Sequence, residues 1–354
     1  WLLSENMRLV DNWDDVVPPE EEESEEIGDE QSALQSFEDT LAERTDVNRE
    51  PTALDDEFGI RPGRTTILSV LDNDSDPDGD VLVVSEHGQI AETTGRLDLI
   101  DGDRALQFTP SPGFVGNIRF GYTVDDGRGG SAQAEVFVRV VPDGQNSAPV
   151  ELRRSAVTVE ANQTVEYNVL ANWRDPDGDD MFLVGAVSTS GDLVRFTPDG
   201  VVTFTHQTSE LGEKEVQFQV ADGNGDVVVG TLGVKVEPVG SQKPVGTPDF
   251  ETAFTGEQIV ISPLTNDISP SGAPLAITNI EEPGGGATAA LDTEKGEVRF
   301  SASEPGVYYF EYGVSAGTAS SVGIIRVDVE AIPDDRNIPP IAVKDTAYLR
   351  GEEP

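Results

Sequence analysis

The sequence contains no cysteine, so a disulfide framework, a thiolate metal site and a cysteine nucleophile are all excluded. Histidine is nearly as scarce: His87 and His206 stand alone among 354 residues. They fall at unrelated positions, which is poor material for a general base. No run approaches the roughly 18 apolar residues of a membrane span, and no signal-peptide pattern is present. No P-loop occurs, the glycine run in "EEPGGGATAA" lacks the lysine a phosphate loop requires, and the single G-x-S-x-G match, "GVSAG" at 313–317, falls in a repeated strand pattern rather than at a strand-to-helix turn. Basic residues are few, 23 against 67 acidic ones, for a net charge of −44. A surface that negative repels nucleic acid and anionic lipid, and it suits a protein that tolerates salt or collects cations.

Glycine and proline are abundant, with 36 and 23 residues, and they punctuate a long internal repeat. Phe108 in "LQFTP", Phe204 in "VTFTH" and Phe300 in "VRFSA" are spaced 96 residues apart. "VLDNDSDPDGD" at Val70 returns as "VLANWRDPDGD" at Val169 and "PLTNDISPSGA" at Pro263. Pro51, Pro149, Pro244 and Pro340 open successive units. Within each unit, inward and outward residues alternate with the period of two of a half-buried strand, as at Phe120, Tyr122 and Val124. Several short strands broken by Gly, Asp and Pro turns predict an antiparallel β-sandwich per unit. The expected fold is therefore all-β, a tandem of sandwiches over 50–142, 147–238 and 243–332 joined by short linkers. The first strand of a fourth repeat is expected over 338–354. Ahead of the repeats, 1–17 reads as the end of a preceding domain and 18–49 as a self-repelling acidic linker. Within that linker, Leu34, Phe37 and Leu41 are spaced for a short helix. The chain starts at Trp1 and stops in mid-pattern at Pro354, as a slice of a longer protein would.

The stretch "DNDSDPDGD" crowds five carboxylates into nine residues, and unneutralised they oppose folding. In an immunoglobulin-like sandwich the loop after the second strand and the loop before the last strand lie at one end. That topology brings Asp74, Asp76, Asp78 and Asp80 toward Asp125 and Asp126. Ca²⁺, which takes six to eight oxygen ligands, resolves the repulsion. The alternative is a solvated Asp-Gly turn whose side chains bond only nearby backbone N–H groups. An EF-hand is excluded, because the twelfth position is Ser85 and "VLVV" begins a strand where a helix should start.

With "NDSDPDGD" followed later by "DDGRGG", the units resemble the cadherin-like and immunoglobulin-like tandem repeats of bacterial surface proteins. The resemblance covers about residues 50 to 354, and is specific in repeat one, fair in two and weak in three. It implies an extracellular stalk or adhesive module, stiffened by calcium ions. The implied metal ligands are Asp74, Asp76, Asp78, Asp80 and Asp126 in repeat one, with Asp55 and Asp56 as additional candidates, and Asp175, Asp177, Asp179 and Asp222 in repeat two. Repeat two carries Arg153 and Arg154 where repeat one has Asp55 and Asp56, and these are expected to neutralise Asp180 or its neighbours. Repeat three, with "NDISPSGAP" and "SAGTAS", leaves Asn266 and Asp267 without a partner loop, so its site is expected to be lost. Two rival functions remain open: a module that binds a surface protein or a glycan, and an accessory region of a large secreted hydrolase. Trp173 reads as a buried or loop-packed aromatic, with a sugar-facing ring as the alternative.

Overall fold

The computed structural model describes residues 47–333 and 340–347. The preceding domain end, most of the acidic linker and its short helix lie outside the described residues. Repeat one consists of β1 (Asp56–Ile60), β2 (Thr66–Leu68), β3 (Val83–His87), β4 (Gly95–Ile100), β5 (Ala105–Pro110), β6 (Gly116–Asp125) and β7 (Ser131–Val140). They form two facing sheets, in the orders β1-β7-β6-β3 and β2-β5-β4. All pairings are antiparallel except β1 with β7, which run parallel.

Repeat two opens with a short pair, β8 (Val150–Glu151) and β11 (Trp173–Arg174), flanking β9 (Ser155–Glu160) and β10 (Thr164–Asn168). It continues with β12 (Met181–Ser188), β13 (Leu193–Phe196), β14 (Val201–Thr205), β15 (Gly212–Asp222) and β16 (Val227–Glu237). Its main sheets run β12-β15-β16-β9 and β10-β14-β13. Repeat three comprises β17 (Asp249–Phe254), β18 (Gln258–Ile261), β19 (Leu275–Ile280), β20 (Ala287–Asp292), β21 (Glu297–Ala302), β22 (Gly306–Ala316) and β23 (Ala319–Glu330). Its sheets, β17-β23-β22-β19 and β18-β21-β20, repeat the topology of the first.

Each repeat encloses its own apolar core. The residues that mark the repeat are central to it: Phe108, Phe204 and Phe300 are fully buried on β5, β14 and β21. Alternation does the rest, since Ile118, Phe120, Tyr122 and Val124 of β6 point inward while Asn117, Arg119 and Gly121 face out. Burying a phenylalanine side chain contributes about 3 kcal/mol, so these three positions anchor the sandwiches. Edge strands β3, β12 and β19 each carry a register shift, at Val84/Glu86, Leu183/Gly185 and Ile277/Asn279. Such bulges twist an edge away from pairing with another chain.

The expected fourth-repeat strand is not formed over its described part. A strand needs a partner for its backbone groups, and here the partner is one side chain. Gln107 Nε2 donates to Ala342 O at 3.0 Å, and the Lys344 N–H donates to Gln107 Oε1 at 2.9 Å.

Candidate functional site

In repeat one the turn after β2 and the turn between β6 and β7 meet at one pole. One carboxylate oxygen each from Asp76, Asp80 and Asp126 lies within 4.8 Å of the other two. Asp76 Oδ1 accepts the N–H groups of Asp78 at 2.7 Å and Asp80 at 3.1 Å, so the turn wraps around it. Gly79, at φ 72°, allows that wrap. Asp76 Oδ2 is buried without a hydrogen-bond partner. Asp126 is fully buried: its Oδ1 accepts the N–H groups of Arg128 and Gly130, and its Oδ2 accepts from Asn48 Nδ2 at 2.7 Å.

Asp78 is turned to other partners. The Arg49 backbone N–H donates to its Oδ2 and Arg49 Nε to its Oδ1, both at 2.7 Å. Arg128 Nη1 donates to Asp80 Oδ2 at 3.0 Å and lies 3.8 Å from Asp78. Burial works to raise the Asp78 pKa, but the Arg49 hydrogen bonds and the Arg49 and Arg128 charges hold it below the usual carboxylate range. Asp76 is pushed up, chiefly by burial and further by the charges of Asp80 and Asp126.

Asp74 belongs to a separate cluster. Its Oδ2 lies 3.0 Å from the Tyr122 hydroxyl, which is also 3.1 Å from Asp56 Oδ2. Burial pushes Asp56 up to about 7. Asp55 does not join the pole either, since its Oδ1 accepts the Glu135 N–H at 2.9 Å.

The same turn in repeat two is closed by a side chain from repeat one. Arg61, which follows β1 and is only 3% exposed, donates through Nε to Asp179 Oδ1 at 2.9 Å and through Nη2 to Asp179 Oδ2. Its remaining donors go to Pro142 O, Gln145 O and Asn146 Oδ1, and Asp177 lies 3.9 Å away. The Arg61 hydrogen bond holds the Asp179 pKa down, and Asn224 Nδ2 donates to the same carboxylate at 2.6 Å. Asp177 Oδ2 accepts the Ser147 N–H at 2.5 Å. Asp222 Oδ1 accepts three successive N–H groups, from Asn224, Gly225 and Asp226, while its Oδ2 accepts from Asn146. Asp175 repeats the geometry of Asp76, with Oδ1 taking the Asp177 and Asp179 N–H groups and Oδ2 buried without a partner.

The expected role of Arg153 and Arg154 is therefore corrected. Arg153 donates to Asp72 O at 3.0 Å, and Asp180 is met by Lys344 Nζ at 2.6 Å. The strand direction explains it: the pair precedes β9, whereas Arg61 is delivered to the pole by the end of β1. The backbones approach so closely at this joint that a Cβ on Gly59 would lie 1.7 Å from Pro176 O.

In repeat three, Asp267 has a partner after all, though not the loop considered from sequence. Tyr312 OH donates to Asp267 Oδ1 at 2.8 Å, and Asp249 faces both. Repeats one and three thus share an Asp–Tyr–Asp cluster, Asp56–Tyr122–Asp74 and Asp249–Tyr312–Asp267. In repeat two the corresponding strand positions hold Ser155, Phe218 and Trp173. The Trp173 and Phe218 rings meet edge-on with centroids 5.9 Å apart. Trp173 is 5% exposed, so it presents no face to a sugar. The sequence did carry a signal for these clusters, in the tyrosine that replaces phenylalanine at one inward position of β6 and β22.

The two histidines lie in different repeats, and both ring nitrogens of His206 are engaged. His206 Nδ1 accepts the Asn162 N–H at 3.0 Å and Nε2 contacts Glu210 O at 3.1 Å, while His87 Nδ1 contacts Gly88 O at 3.1 Å. Among the described residues no helix is long and apolar enough to cross a membrane.

Comparison with known proteins places this architecture. No curated protein matches the chain. Among solved structures, the three-domain fragment EC1-3 of Drosophila N-cadherin is similar at 17% identity, over 79% of this chain and 100% of that one, with a TM-score of 0.31. Immunoglobulin domains 1–4 of Sidekick-1 are similar at 12% identity, over 79% and 75%, with a TM-score of 0.28. An endo-fucoidan hydrolase of glycoside hydrolase family 107 is similar at 18% identity over 83% of this chain, with a TM-score of 0.23, and the chain spans 46% of that enzyme's length. The model of the bacterial Ig domain matches three times in succession, at residues 48–139, 146–235 and 241–328, so the chain belongs to the bacterial Ig domain family.

Proposed function

We propose that this chain is a non-catalytic segment of an extracellular or cell-surface bacterial protein. Its tandem sandwiches act as a stalk or adhesive module, and the pole of repeat one takes a structural Ca²⁺. The observation that carries the calcium reading is the convergence of Asp76, Asp80 and Asp126, with one oxygen of Asp76 buried and unpartnered. Ligands on opposite sides of one Ca²⁺ are separated by about 4.6–5.2 Å, and the three oxygens lie within that span. These three carboxylates would hold the ion, which would cross-link two turns that otherwise repel. Arg128 would have to yield Asp80 Oδ2 to it. The repeat-two pole, already closed by Arg61, supports no such requirement.

Extracellular modules bind Ca²⁺ with dissociation constants of roughly 0.1–1 mM. At about 2 mM Ca²⁺ the stabilisation is on the order of 1 kcal/mol. Calorimetric titration of the full chain tests this, with Asp126→Asn as the control. One weak site in the parent and none in the variant is the expected result. No heat in the parent, or an unchanged site in the variant, overturns the assignment.

A further inference from the structure

We infer that Asp249 and Asp267 share a retained proton and form a pH-sensitive latch that holds β17 onto repeat three. Asp249 is the first residue of β17, whose strand pairing is the parallel ladder with β23 at the edge of its sheet. Asp267 lies in the turn after β18, and Tyr312 stands between them on β22. The Tyr312 hydroxyl has one hydrogen to offer two carboxyls, Asp249 and Asp267, and its oxygen lies 2.8 Å from Asp267 Oδ1. Asp267 Oδ1 also accepts the Thr247 N–H at 2.8 Å.

The second oxygens of both carboxyls, Asp249 Oδ2 and Asp267 Oδ2, are buried without a hydrogen-bond partner. The groups facing the pair are the Tyr312 hydroxyl, the Asn266 side chain and the Glu251 carboxylate, and the charges acting on Asp249 are negative. Two buried carboxylates cannot both ionise there without a counter-ion, so the pair keeps a proton. Repeat two solves the same position without charge, through Phe218 against Trp173, and so supplies a control within the molecule.

Burial, with the Asp267 charge adding to it, pushes Asp249 up to about 8, and burial pushes Asp267 up to about 6. A carboxyl raised in the folded state above its unfolded value of about 3.9 contributes stability that is complete below that value. The contribution is lost as pH rises through the folded value. The latch is therefore closed in acid and loosens progressively from about pH 4 to about pH 8, where the higher of the two folded values lies. Loss of β17 leaves one edge of β23 unpaired, and an unpaired edge is a template for another strand.

Hydrogen exchange of the full chain from pH 5 to 9, corrected for the intrinsic rate, reads this out. For one proton released on opening, the opening constant for 249–254 should rise about 100-fold between pH 6 and 8. The corresponding strand 155–160 of repeat two should not change. Asp249→Asn should abolish the rise; if that variant fails to fold, Asp267→Asn should shift it to lower pH by removing the neighbouring charge that acts on Asp249. Equal pH dependence in both repeats, a rise that persists in Asp249→Asn, or one unmoved in Asp267→Asn, overturns the latch.

Discussion

Replacing Arg61 by methionine tests whether a side chain, rather than an ion, neutralises the pole of repeat two. The substitution keeps the length of the stem and removes a guanidinium whose donors are all engaged. It leaves Asp179 at 8% exposure and Asp177 at 2%, facing the solvent-exposed guanidiniums of Arg64 and Arg139, each 3.8 Å from one of them, in place of a buried, hydrogen-bonded cation. Removing one partner of a buried ion pair costs about 3–5 kcal/mol, because the other charge stays buried. Water entering the opened joint favours the lower end. A loss of about 3 kcal/mol lowers the melting temperature of a domain of roughly 95 residues by on the order of 15 °C.

Scanning calorimetry of the full chain is the assay, with Arg61→Met, Asp179→Asn and the double variant forming a cycle. The coupling between the two residues should exceed about 1 kcal/mol, since they touch and share one network. The double variant should recover much of the loss, because both charges are then gone. Millimolar Ca²⁺ should stabilise repeat two in Arg61→Met and not in the parent, as Asp175, Asp177, Asp179 and Asp222 would then lack their built-in cation. A single variant within about 0.5 kcal/mol of the parent, or a coupling energy near zero, would refute the reasoning.

Two further outcomes are expected. Phe204→Ala, at a fully buried side chain in the repeat-two core, should cost about 3–5 kcal/mol by urea unfolding, and leave the transitions of repeats one and three within about 0.5 kcal/mol. Gly59→Ala places a methyl group 1.7 Å from Pro176 O, so the joint between repeats one and two must shift. Limited proteolysis should then cut 141–149 faster than in the parent, while Gly223→Ala, whose Cβ meets nothing within 4 Å, should leave cleavage unchanged.

Much of this was legible in the order of residues alone. The 96-residue spacing of Phe108, Phe204 and Phe300 marks the same core strand three times, because an inward aromatic at a fixed place in a sandwich is set by the period of the strand and the distance between turns. The crowding of Asp74 to Asp80 likewise announces a turn in need of neutralisation. What neutralises the equivalent turn of repeat two, from Asp175 to Asp180, could not be read there. Arg61 lies 118 residues from Asp179 in the chain, and nothing in local pattern links them. The domain packing alone brings the end of β1 to the pole of the next repeat. Whether Asp74 joins Asp76 or turns to Tyr122 was equally a matter of three dimensions, since neighbours along a wrapped turn point to different sides. Alternation and spacing are local properties and fix the strands; the pairing of charges depends on distances across the fold, which only the assembled sandwiches decide.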